Sequence, residues 1–313
     1  MAENEKSEYQ ENCVLIDWIT FTTTMDSVAG VTAMLGLSSV TWEDMEHGFN
    51  GYPYGKHFCG ISILYGGRED MGVCVNMSGQ GCRSFETYGH GDFPSLFDLI
   101  LSNEGDMKLT RLDVAYDDHT GILDMDILKD DTDAHYYLSK SRIWEVDYGS
   151  PGCTIYHGSK KSDMMIRIYD KAAERHRDGE HWIRVELQMR REIAMGFVRD
   201  LASGSLPERF AGVLLNYLRY VVPDEDSNPS RWPMTDYWRE LIGHATAWAC
   251  WVRPGVEYNL ENLENFVFNQ AGNAIDTFID IFGYEAFKAR LGERATRYSP
   301  KYERLKQMYK KVT

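Results

Sequence analysis

Three short segments of this 313-residue chain, TRLDVAYDD (residues 110–118), MIRIYDKAAE (165–174) and WIRVELQMRR (182–191), alternate apolar and polar side chains with a period of two. Successive side chains of a strand point to opposite faces, so the alternation reads as three half-buried strands. Leu112 and Val114 point one way, and Arg111 and Asp113 the other. Ile166 and Ile168 oppose Arg167, Tyr169 and Lys171, while Ile183, Val185, Leu187 and Met189 oppose Arg184, Glu186, Gln188 and Arg190. Placed in one sheet, the strands give an apolar face to pack on helices. Their other face gathers carboxylates, cations and a tyrosine.

The surrounding sequence extends that pattern. CVLIDWITFTT from Cys13 reads as another strand, and the text from Gly48 to Gly67 with the run MGVCVNMSG reads as hairpins. Val28 to Leu37 and Phe93 to Ser102 read as helices, the second with Phe93, Leu96, Phe97, Ile100 and Leu101 at helical spacing. After Arg190 the pattern turns helical through REIAMGFVRDLASG and ERFAGVLLNYLRYVV, breaks at VPDEDSNPSRWP, and stays mainly helical to Thr313. The fold expected is therefore α+β: a central antiparallel sheet with flanking helices over residues 12–200, a helical C-terminal subdomain over 201–313, and a polar tail over 1–11.

Charge narrows the function. A formal net charge of −15 argues against indiscriminate polyanion binding, so any contact with a phosphate backbone has to be local. Residues 157–199 hold ten Lys/Arg against seven Asp/Glu, beside an acidic stretch over 113–133. The start MAENEKSEYQENC has no signal-peptide pattern and no long apolar run follows, which points to the cytoplasm with no membrane partner. The six cysteines (Cys13, Cys59, Cys74, Cys82, Cys153 and Cys250) make no CxxC pair and no zinc spacing. Gly79-Gln80-Gly81 lacks the Lys-Ser/Thr of a phosphate loop, which leaves an ATPase unsupported.

The polar face suits phosphoryl transfer. Asp and Glu oxygens bind a hard cation such as Mg²⁺ or Mn²⁺, arginines grip phosphate, and a tyrosine becomes a nucleophile where cations favour its ionised form. An ordinary solvated sheet face accounts equally well for the spacing.

TRLDVAYDD, GCTIYHGSKKSDMMIRIYDKAAE and HWIRVELQMRR, in that order, resemble the signature of the replication initiation factor family, the Rep proteins of rolling-circle plasmids and phages and the relaxases of integrative elements. SGQGCR and LIDWITFT are similar to the family's upstream pattern, so the likeness runs from about Leu15 to Arg199. The resemblance implies site-specific nicking at an origin, a 5′-phosphotyrosyl intermediate, later rejoining, a divalent metal, origin DNA and a host helicase as partners. By the same resemblance Tyr169 is the nucleophile, with Tyr156 as its rival, and Asp113 and Glu186 hold the metal.

Asp117 and Asp118 either join the metal or form a solvated turn. Arg111 and Arg184 either pair with the carboxylates or hold the scissile phosphate. Lys160, Lys161, Arg167, Lys171 and Arg190 are expected along the DNA, with the loop GSKKSD offering backbone N–H groups. His157 stands where an apolar residue is expected, as a structural histidine or as a ligand. In the helical part, Tyr217, Tyr220, Trp232, Tyr237, Trp238, Trp248 and Trp251 fill a core or stack on bases, and that part is also a candidate dimer surface. Two rival functions stay open: a metal nuclease that uses water, and a non-catalytic origin-binding protein.

Overall fold

The structure is a computed structural model that describes residues 11–25, 27–149, 152–177, 179–201, 203–247, 267 and 272–293. Its centre is a ten-stranded sheet in which every neighbouring pair is antiparallel. In chain order its strands are β1 (Cys13–Thr23), β2 (Glu43–Asp44), β3 (Tyr54–Phe58), β4 (Ile61–Tyr65), β5 (Val73–Met77) and β6 (Met107–Asp118). A short strand β7 (Tyr137–Ser139) stands apart, and β8 (Trp144–Gly149), β9 (Gly152–His157), β10 (Met164–Asp170) and β11 (Ile183–Arg190) complete the sheet. Across it the order is β2-β3-β4-β5-β1-β6-β11-β10-β9-β8. The three alternating segments are thus the adjacent strands β6, β11 and β10.

Register fixes the two faces. Ile166 pairs with Leu187, and Leu187 in turn with Val114, so the apolar residues of the three strands share one side. Helices α6 (Arg191–Leu201) and α7 (Leu206–Tyr217) cover that side, burying Ala194, Phe197, Val198, Phe210 and Leu214 against it. Tyr116 of β6 stacks on Phe210 of α7 at 6.3 Å between ring centres. Arg191 joins β11 directly to α6 in the left-handed region (φ 48°), where a non-glycine residue reverses the chain without a loop.

Some local expectations change. The predicted helix over 28–37 is α1 (Val28–Met34), with Gly36 at φ 71° turning the chain away. Phe93–Ser102 is helix α3, capped by Asp92, while Gly79–Tyr88 is helix α2, capped by Ser78; α4 (Met125–Asp133) and the single turn α5 (Lys171–Glu174) come before α6. ERFAGVLLNYLRYVV does not stay helical. Its tail becomes strand β12 (Leu218–Tyr220), paired with β7, because Trp238 and Tyr220 bury completely there and draw the backbone into extended form.

The chain divides into two compact units. One is made of Met1–Ser38 and Glu43–Pro254, and the other of Ser39–Trp42 and Gly255–Thr313. The first holds the sheet together with α6, α7 and the helix Asp236–Ala247. In the second, the described helices are Gly272–Phe282 and Tyr284–Glu293, linked by the Phe278–Phe287 ring contact. Among the described residues no helix is long and apolar enough to cross a membrane.

Candidate active site on the polar sheet face

β6, β11 and β10 bring the sequence-predicted groups together on one face. Across the strands Arg184 faces both Asp117 and Tyr169, Glu186 faces Arg167, and Gln188 faces Asp113. The carboxylates form a buried floor: Asp113 is 1% and Glu186 2% exposed. An unpaired carboxylate would be very costly at such depth, and each has an arginine beside it. Arg111 grips Asp113 through Nε (3.0 and 3.1 Å) and Nη2 (2.5 Å), and Arg167 Nη2 donates to Glu186 Oε2 at 2.7 Å.

Strand β1 completes the face through a bulge. Its register on β6 shifts between Ile16 and Trp18, so Asp17 is an extra residue and its side chain turns to the polar side with that of Trp18. Asp17 then receives Arg184 Nη1 at 2.5 Å, and Trp18 lies 4.3 Å beneath the Arg111 guanidinium. Sequence reasoning missed Asp17, although an acid inside an otherwise apolar strand was its visible signal.

Arg184 has two carboxylate partners, since its Nε and Nη2 also bond Asp117 at 2.6 Å each. Of the two roles open for it, the structure shows the pairing with carboxylates. Against burial, the charges of Asp117 and Asp17 hold its pKa well above the ordinary value. Nor do Asp117 and Asp118 lie in a solvated turn, because β6 runs through both and both are buried. Asp118 accepts the backbone N–H groups of Thr120, Gly121 and Leu123, which commits it to the turn that follows.

Tyr169 is buried beside these groups. The Arg167 guanidinium lies 4.2 Å from its ring centre, and Lys171 Nζ donates to its hydroxyl at 3.1 Å. Burial pushes the phenol above its ordinary pKa; the charges of Arg184 and Arg167 pull against this and that of Glu186 adds to it. The expected bias toward the ionised tyrosine is therefore reversed by burial in the free protein. Burial, resisted by the Arg111 hydrogen bonds and reinforced by the charge of Glu186, pushes Asp113 up to about 7. A buried pair of carboxylates, one of them made costly to ionise by burial and by the charge of the other, suits a divalent cation, which takes one or two carboxylates and fills its other positions with water and phosphate oxygens. Among the described residues no group of three or more His, Cys, Asp or Glu is arranged around a metal position.

The same face carries N–H donors suited to an anion. Among the described residues, Arg167 Nε, Gln188 Nε2 and Arg190 Nε are buried and have no hydrogen-bond partner. Arg190 stands directly opposite Arg111, which concentrates positive charge at that end. Tyr156 of β9, opposite Arg167, is half-buried, with Lys160 Nζ 5.4 Å from its ring centre.

Other expected residues fall elsewhere. Lys171 is buried against Tyr169 instead of lining an exposed groove. Lys160 and Lys161 are exposed, but the loop's Ser159 and Lys161 N–H groups bond the hydroxyls of Ser162 and Ser159. His157 lies on the apolar side, opposite Ile166, where Nε2 meets the Tyr220 hydroxyl at 3.2 Å. Burial pushes it down to about 4, as suits a structural histidine. Tyr220, Tyr237 and Trp238 pack on one another, and Trp232 Nε1 bonds the Asp226 carbonyl; Trp248 and Trp251 lie outside the described residues.

Comparison with known proteins gives the family and agrees with the fold. Residues 107–294 match the model of the replication initiation factor, and residues 13–101 that of the rolling circle replication initiation protein N-terminal domain. A putative DNA relaxase NicK of Bacillus subtilis is 27% identical over 275 residues, which is 81% of this chain and 78% of the relative. The solved structure of a rolling circle replication initiator protein from Geobacillus stearothermophilus is 28% identical, with a TM-score of 0.70, and the match covers 76% of this chain and 97% of that one. With one family model spanning β6, β10 and β11, the strands that build the polar face, the chain belongs to the replication initiation factor family.

Proposed function

We propose that this protein nicks one DNA strand at a replication or transfer origin and later rejoins it, with Tyr169 as the nucleophile. The observation that carries the reading is the meeting on one sheet face of the Tyr169 hydroxyl, the Asp113/Glu186 pair, and the donors of Arg167, Gln188 and Arg190 that have no partner among the described residues. The Tyr169 oxygen bonds to phosphorus as the 3′-oxygen leaves, so the phosphodiester energy stays in a 5′-phosphotyrosyl bond until the strand is rejoined. Arg167 and Arg190 hold the extra negative charge of the transition state, and Gln188 orients the phosphate.

Asp113 and Glu186 are the residues that would hold Mg²⁺ or Mn²⁺. Such an ion would neutralise charge developing on the phosphate oxygens. Arg111 fixes Asp113, and Arg184 spans Asp117 and Asp17 to hold β1, β6 and β11 in register. Lys160 and Lys161, exposed beyond Tyr156, meet the DNA backbone outside the cut. A host helicase is the partner such an initiator needs to open the duplex from the freed 3′-hydroxyl.

Incubation with supercoiled DNA carrying the protein's own replication origin and Mn²⁺ tests the reading. It predicts open-circular product that carries protease-sensitive protein. Nicked DNA free of protein would instead indicate hydrolysis by water, and DNA binding that survives chelation without any nick would indicate an origin-binding protein.

A further inference from the structure

We propose that Lys171 takes the proton from Tyr169 during nicking and returns it during rejoining, with Glu174 as the proton's way to solvent; this rests on Tyr169 being the nucleophile. Among the described residues, the hydrogen bond to the Tyr169 hydroxyl is that of Lys171 Nζ, at 3.1 Å, and the same nitrogen meets a Glu174 carboxylate oxygen. Backbone structure fixes this amine in place. The Lys171 N–H bonds the Trp182 carbonyl at 2.8 Å, and the Asp170 side chain caps the turn at Ala173 N, also at 2.8 Å.

A neutral phenol in a buried site needs an acceptor that touches it, because bulk water does not reach it freely. Among the described residues, the carboxylates of this face make no hydrogen bond to the Tyr169 hydroxyl, and each is held by an arginine. Asp113 and Glu186 are held by Arg111 and Arg167, and Asp117 and Asp17 by Arg184. Charged groups face the amine from three elements: Arg184 on β11, Asp17 in the β1 bulge, and Glu174 in its own turn. Burial and the Arg184 charge lower the lysine's pKa, while Glu174 and Asp17 oppose them. The net direction makes the neutral amine, the form able to accept a proton, easier to reach than in a free lysine.

In the forward step Tyr169 Oη bonds to phosphorus, the bond from phosphorus to the 3′-oxygen breaks, and the phenolic proton moves to the neutral Lys171 Nζ. The departing 3′-oxygen takes a proton from water. The new ammonium sheds a proton through Glu174, whose side chain is 40% exposed, and this neutralises the hydroxide left by that water. Rejoining runs the same transfers backwards, with the ammonium protonating the tyrosine as it leaves.

Single-turnover adduct formation on supercoiled origin DNA with Mn²⁺, followed from pH 6 to 10, tests the proposal. Wild type should rise with pH and level off once the amine is neutral. Lys171→Ala should be slower by about a hundredfold or more near neutrality, keep rising with no plateau, and recover with added methylamine. Lys171→Met carries the same expectation for rate and profile if the alanine variant fails to fold, and Glu174→Gln, at a partly exposed position, should slow the reaction less. Folded Lys171 variants with the wild-type rate and profile overturn the proposal. So does a loss of rate that keeps the wild-type profile and ignores methylamine, since it marks positioning alone. Adduct formation by Tyr169→Phe overturns the nucleophile and the relay together, a distinct signature.

Discussion

Arg167 lies over the ring of Tyr169, 4.2 Å from its centre, while its Nη2 donates to Glu186 at 2.7 Å. One planar cation thus ties the proposed nucleophile to a proposed metal carboxylate. Lysine cannot stack and bridge in the same way, so Arg167→Lys should slow adduct formation by about ten- to a hundredfold while leaving the thermal melt near wild type. Parallel melts and single-turnover rates check this; an unchanged rate contradicts it.

Arg184 has the opposite signature. It is fully buried between Asp117 and Asp17, and removing it leaves two carboxylates without their partner. Arg184→Met should lower folding stability by about 3–5 kcal/mol, read from urea unfolding. A loss of nicking without loss of stability would return Arg184 to the scissile phosphate.

Asp113 and Glu186 should set the cation requirement. Chelation should stop nicking, and Glu186→Gln should raise the Mn²⁺ concentration for half-maximal rate by about tenfold or more, while origin binding persists. Nicking that continues in excess chelator would remove the metal from the account.

His157 makes stability depend on pH. Burial holds it down at about 4 in the folded chain against about 6.5 when unfolded, so the folded state binds fewer protons between these values. Its contribution is whole above about pH 6.5 and lost as pH falls toward 4. Replacing it with leucine should therefore narrow the stability difference between pH 7.5 and 4.5 by about 2.5 kcal/mol relative to wild type. An unchanged difference would show that His157 is not buried neutral.

Much of the site was legible because strand alternation fixes which side chains share a face. Arg111, Asp113, Arg167, Tyr169, Arg184, Glu186, Gln188 and Arg190 lie together as the period of two requires. What pattern could not supply was depth and partner choice. Asp17 enters through a bulge, which no alternation rule foresees, and it is Asp17 with Asp117 that occupies Arg184. Lys171 reads as one more surface cation, yet the turn at its own residue folds it inward onto Tyr169. In the fold, LRYVV read as the end of a helix, because the burial of Tyr220 beside Trp238 depends on residues distant in sequence.

The most direct test of the central claim is to map the protein end of the DNA adduct. After wild type has reacted with origin DNA and Mn²⁺, proteolysis and mass spectrometry should find the nucleotide on the peptide holding Tyr169, Tyr156→Phe should still form the adduct, and Tyr169→Phe should form none. A nucleotide on Tyr156, or an adduct that survives in Tyr169→Phe, would contradict the account.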